Sequence, residues 1–169
     1  MTAKVLILAL GLLIVISVSG KQALLFAVME QGMRDAIAQQ ARVIERVLDA
    51  SATEQLRALV RNHFNVLLGP RSDFIPVMLY EIRSISPAQR RLLAAMTLAY
   101  ESAWDPVLQR LHAQGRLRAE ARVARLLIFG ALNWSVQWYS ARRPAGRARL
   151  TLDELTDEAL HLFIAPECA

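Results

Sequence analysis

Three histidines, His63, His112 and His161, are the side chains best able to hold a metal or move a proton. Each falls on a different predicted helix with no second His or Cys at ligand spacing, so no metal site is expected. The chain has no GxSxG, HExxH or CxxC, and Gly11 with Gly20 and Lys21 misses the spacing of a phosphate-binding loop. Catalysis needs a nucleophile beside a base, a metal set or a phosphate cradle. With none of these encoded, the chain reads as a non-enzyme without a cofactor. Glu81, close to Arg83 in YEIR, reads as an ion-pair or polar pocket residue rather than a general acid.

The aromatic residues carry more information. Trp134 and Trp138 lie four apart on one helical face, as do Tyr100 and Trp104 on another, and Phe64 and Met78 can face the same interior. Such stripes serve an ordinary core. Joined by a polar residue such as Asn133, they also suit an apolar pocket with a few polar contacts. Arg142, Arg143, Arg147 and Arg149 crowd into one loop, either as a solvated segment or as a partner for phosphate, which arginine grips bidentately.

The elements that would position these residues are helices. The 169 residues suffice for one core, with 54% apolar and 21% charged residues arguing against long disorder. Ala, Leu, Arg, Gln and Glu dominate, which is helix-forming material. A long amphipathic helix is predicted after Lys21, carrying Leu25, Met29, Met33, Ile37 and Ile44. Ser51 with Glu54 forms a capping-box pair that opens a second helix, stopped by Gly69-Pro70. A short segment spans 73–85, and Ser86-Pro87-Ala88-Gln89 opens a helix expected to run to Gly115 with a kink near Pro106. A further helix covers about 119–140, and Thr151 with Glu154 caps the last one. The fold class is all-α, with about six helices after residue 20.

Residues 5–20, VLILALGLLIVISVSG, are uncharged and, as a helix, rise about 24 Å, short of the roughly 30 Å hydrocarbon core. They resemble a secretory signal in length, and they support a competing reading as a membrane anchor (residues 5–19) for a helical interaction protein. Cys168 is the sole cysteine, so no intramolecular disulfide forms, which fits a cytoplasmic setting. The net charge of +5, almost all from arginine, permits salt-sensitive, non-specific nucleic-acid contact.

The ordered series GKQALLFAVMEQGM, LRALVRNHFNVLL, FIPVMLYEIRSISPAQRRLLAAMTLAYESAW and GALNWSVQWYSARRPAGRARLTLDELTDEALHLF resembles the ligand-binding and dimerisation domain of TetR/AcrR-family transcriptional regulators. It is most similar to the branch containing repressors of fatty-acid and steroid catabolism. The resemblance covers about 21–164. It implies a TetR-like C-terminal helical bundle over residues 21–165, with residues 1–20 standing where the family carries its DNA-binding head. Those residues contain nothing suited to a helix-turn-helix, so DNA is expected as a partner only if a head is supplied.

The resemblance also implies a homodimer in which the last two helices form a four-helix bundle with their copies, with Val123, Leu127, Leu155, Leu162 and Phe163 in the seam. It implies an effector cavity among the middle helices, to which Phe64, Met78, Tyr100, Trp104, Asn133 and Trp138 contribute. The expected effector is an apolar or acyl-CoA-like small molecule, its phosphates held by arginine.

Overall fold

The computed structural model describes residues 3–70, 72–139 and 150–166, with side chains from residue 20 onward. Among the described residues there are seven α-helices, one 3-10 turn and no strand. They are α1 (Ala3–Arg46), α2 (Ala52–Leu68), α3 (Phe74–Glu81) continued by the 3-10 turn Ile82–Ser84, α4 (Pro87–Ser102), α5 (Asp105–Ala113), α6 (Ala121–Trp138) and α7 (Leu152–Phe163).

Local chemistry sets most of the starts. Ser51 and Glu54, Ser86 and Gln89, and Thr151 and Glu154 each close a reciprocal capping box on α2, α4 and α7. Glu120 caps α6 by accepting from the backbone N–H groups of Arg122 and Val123 at 3.0 and 3.2 Å. The bond from Arg122 is the main reason its carboxyl sits below the usual carboxylate range. Gly115 ends α5 with φ +67°, a left-handed cap in which Arg116 N–H reaches back to Leu111 C=O at 2.9 Å.

The expected helix from Pro87 to Gly115 is two helices. Pro106 has no N–H for the Ser102 carbonyl and its ring crowds that carbonyl, so α4 stops at Ser102 and α5 restarts at Asp105. The helix expected after Lys21 starts earlier, as α1 runs unbroken from Ala3 through residues 20 and 21. Among the described residues no helix is long and apolar enough to cross a membrane. The side chains of residues 5–19, on which the anchor and signal readings rest, lie outside the described residues, as do Arg142, Arg143, Arg147, Arg149 and Cys168.

The second helix is the hub, packed against α1, α5, α6 and α7. Leu56, Leu59, Val60 and Phe64 of α2 meet Leu108 and Leu111 of α5 and Ile128 and Phe129 of α6 in one core. Each fully buried leucine contributes about 1.5–3 kcal/mol. At the surface Arg57 pairs with Asp157 and Arg61 with Asp153, tying α2 to α7 twice, one helical turn apart. The end of α7 is clipped to the α5–α6 loop by reciprocal bonds, Ala165 N–H to Arg116 C=O at 2.9 Å and Arg116 Nε–H to Ala165 C=O at 2.5 Å.

Candidate ligand-binding site

His63 projects from α2 into the interior between α4 and α6. Its Nε2 is 3.1 Å from Asn133 Oδ1 and its Nδ1 is 3.1 Å from the Tyr100 hydroxyl. The Asn133 oxygen can only accept, so Nε2 carries the hydrogen and Nδ1 accepts from Tyr100 O–H. Burial lowers the His63 pKa to about 4, only partly opposed by the bond to Asn133. Burial also raises the Tyr100 hydroxyl well above its ordinary value. Near neutral pH both groups are therefore uncharged, and the interior has a polar line with no net charge.

A second set of bonds fixes that line from behind. At the α4–α5 break, Trp104 N–H turns to the Glu101 carbonyl at 3.1 Å instead of continuing the α-helical ladder. Gln40 of α1 takes up the difference, donating from Nε2 to the Tyr100 carbonyl at 2.8 Å and accepting Trp104 Nε1–H on Oε1 at 2.7 Å. Phe129 then packs edge-on against His63, with ring centres 5.1 Å apart, and in a tilted arrangement against Trp104 at 4.6 Å.

In front of His63 lies an apolar chamber of about 210 Å³, walled by Met33, Phe74, Met78, Tyr100, Phe129 and Asn133 among others. Glu101 also borders it, its carboxyl raised by burial against the opposing charge of Arg125. Arg125 is itself committed, donating to Asp105 Oδ2 at 2.7 Å and Ser102 Oγ at 3.2 Å. The chamber exceeds the roughly 150 Å³ that admits a benzene-sized molecule and falls short of the roughly 300 Å³ at which drug-sized pockets begin. A short or branched hydrocarbon group fits it.

The structure brings Met78, Tyr100 and Asn133 together on this chamber. Phe64 and Trp104 are core residues and do not border it. Phe64 follows His63 directly and so points about 100° further round α2, while Trp104 lies behind Phe129 with its indole turned to Gln40. Trp138 is outside, 46% exposed, its ring against Tyr139. Glu81 accepts from Ser84 Oγ at 2.8 Å, at the end of α3. Sequence reasoning weighed His63 only as a metal or proton-transfer residue, and it passed over Gln40, Phe74 and Phe129. Their signal was positional: His63 falls three and four residues after Val60 and Leu59 on the apolar stripe of α2, and Phe129 is one turn before Asn133 on α6.

Of the expected seam, Val123, Leu127 and Leu162 are exposed on the outer faces of α6 and α7, Leu162 at 83%, alongside Trp134 at 66%. Phe163 is half-buried. Leu155 departs from the expectation: it is buried within the chain, because α7 turns Leu155, Ala159 and Leu160 toward the core. No group of three or more His, Cys, Asp or Glu among the described residues is arranged to hold a metal.

Residues 49–165 match the family described as tetracyclin repressor-like, C-terminal domain. No curated relative matches the chain. Among solved structures it is similar to the superantigen PfiT, with 29% identity, a TM-score of 0.73, and coverage of 85% of this chain and 72% of that one. It is similar to AibR in complex with isovaleryl coenzyme A and operator DNA, with 26% identity, a TM-score of 0.69, and coverage of 87% and 76%. The fold is also that of the TetR family transcriptional regulator PfmR from Thermus thermophilus, at 24% identity and a TM-score of 0.68 over 84% and 74% of the two chains.

Proposed function

Because this chain belongs to the tetracyclin repressor-like, C-terminal domain family, we propose that it is the effector-binding and homodimerising part of a transcriptional repressor, and that its effector is a short-chain acyl-CoA or a similar apolar molecule. The observation that carries the reading is the chamber beside His63: apolar walls, a volume suited to a short acyl group, and an uncharged line of hydrogen-bonding groups on one side. The complex of AibR with isovaleryl coenzyme A supports the choice of chain length. Operator recognition belongs, in this reading, to a helix-turn-helix head, and the residues described here sense the effector and pair the subunits.

The pairing surface is the outer face of α6 and α7. Val123, Leu127, Trp134 and Leu162 expose apolar area there that a second copy would cover. Thermal unfolding and sedimentation test both halves of the proposal. The expected result is a dimer at micromolar concentration whose Tm rises by several degrees with isovaleryl coenzyme A at 100 times Kd, since such binding adds about 2.7 kcal/mol. A strict monomer indifferent to acyl-CoA thioesters of every chain length and to small apolar ligands would overturn it.

A further inference from the structure

We infer that a ligand seated in the chamber sends a phosphate-bearing head past Phe74 into a trough between α1 and α2, where Arg42 and Arg46 hold it. The inference rests on the chamber being the effector site. A chamber of this size holds only the apolar end of an amphiphile, so the remainder must lie in a neighbouring part of the surface. The wall formed by Ala36, Val66 and Phe74 is shared with a neighbouring hollow of about 380 Å³, which is lined further by Gln39, Arg42 and Asn65. Gln39 and Asn65 in turn border a third hollow of about 410 Å³ that reaches Arg46. An apolar chamber thus opens, across one phenyl ring, onto a polar and basic trough.

The ring has its place because residue 32 is glycine. A Cβ there would overlap Phe74 Cγ, so Phe74 rests directly on the backbone of α1. Charge then points to the head. Arg42 and Arg46 lie one turn apart on α1, exposed, and neither makes an ion pair among the described residues. Arg61, which borders the third hollow, is paired with Asp153, and Asp35, the acid on the trough, accepts from Gln31 at 3.0 Å. Two uncommitted guanidinium groups in a row suit two phosphates.

The trough also offers amides. Besides Gln39 and Asn65, it is bordered by Asn62, which is 5% exposed. Among the described residues neither the oxygen nor the nitrogen of the Asn62 amide completes a hydrogen bond. A buried amide without partners is costly, and a ligand bearing amide groups would supply them. The chemistry required is a short acyl chain on a carrier with phosphates. A nucleotide carrier with amide links meets it, and so does a short phospholipid.

Titration calorimetry on the full chain at 50 and 300 mM salt tests this with four ligands: isovaleryl coenzyme A, coenzyme A, isovaleryl-N-acetylcysteamine and dihexanoyl phosphatidic acid. The variant is Arg42→Gln with Arg46→Gln, both exposed, with circular dichroism to confirm the fold. The expected result is at least a tenfold loss of affinity for the coenzyme A thioester in the variant, a loss in the wild type at higher salt, and unchanged binding of the N-acetylcysteamine thioester, which has no phosphate. The same pattern with dihexanoyl phosphatidic acid as the tighter ligand upholds the trough and makes the carrier a lipid. Unchanged binding of the coenzyme A thioester in the variant removes the trough and leaves the chamber standing. Failure of every ligand to bind removes both.

Discussion

His63 Nε2 donates to Asn133 Oδ1 across 3.1 Å, joining the hub helix α2 to α6 through a neutral imidazole buried among aromatic rings. Its pKa of about 4 means that the folded chain takes up a proton here less readily than the unfolded chain, whose histidine titrates near 6.5. The contribution of neutral His63 is therefore complete above about pH 6.5, declines as pH falls toward about 4, and is flat below that. The loss across this window is roughly 3 kcal/mol. Urea unfolding at pH 7.5, 5.5 and 4 measures it, and His63→Gln is expected to flatten the decline relative to wild type. Parallel curves for the two proteins would show that His63 is not its source.

Gln40 serves two groups that nothing else among the described residues serves in the same way. Gln40→Leu leaves the Trp104 indole N–H and the Tyr100 carbonyl buried without their partner. At about 1–3 kcal/mol for each of the two unsatisfied groups, a loss of about 2–6 kcal/mol is expected in denaturant unfolding. Gln40→Glu keeps an acceptor for the indole, and its carboxyl, held protonated by burial, keeps an O–H donor for the Tyr100 carbonyl, so it should fall between wild type and Gln40→Leu.

Gly32→Ala sets a helix-propensity gain of about 0.5–1 kcal/mol against a clash with Phe74. The contact falls near the root of the phenyl ring, which moves only if α3 moves, so overpacking of about 1–3 kcal/mol should win and the variant should be less stable. In a Phe74→Ala background the clash is gone, and the same Gly32→Ala change should become stabilising. A double-mutant cycle by urea unfolding reads the reversal of sign.

The proposed pairing face is tested without touching the core. Leu127→Glu with Leu162→Glu places charge on exposed positions of α6 and α7. The dimer Kd should rise at least tenfold, about 1.4 kcal/mol, while a monomeric helical fold survives. Sedimentation with circular dichroism separates the two readouts.

Local signals were the most legible. Each capping box needs only residues three apart, so the starts of α2, α4 and α7 could be read directly from Ser51, Ser86 and Thr151. The start of α6 at Glu120 was less clear because its cap is a lone carboxylate without the reciprocal partner. For the site, spacing showed that Trp134 and Trp138 share a face of α6 but not which face turns inward. Ala124, Ile128, Leu132 and Ser135 occupy the inner stripe, which leaves both tryptophans outside. The roles of Gln40 and His63 were hidden for the opposite reason. They are polar residues on apolar stripes, and their partners at Trp104, Tyr100 and Asn133 are 37 or more positions away along the chain.

Gln40 also makes α1 a pointer. The helix spans 44 residues, about 66 Å of axis. Its amide grips both sides of the α4–α5 break, so a slide of α1 by a single residue, about 1.5 Å, would undo both bonds together. Sliding would cost both bonds, whereas a small tilt about Gln40 keeps them. Residue 3 lies 37 residues from Gln40, a lever of about 56 Å, so each degree of tilt there moves the start of the helix by about 1 Å. A change too small to see around the glutamine becomes a displacement the size of a bond at the other end.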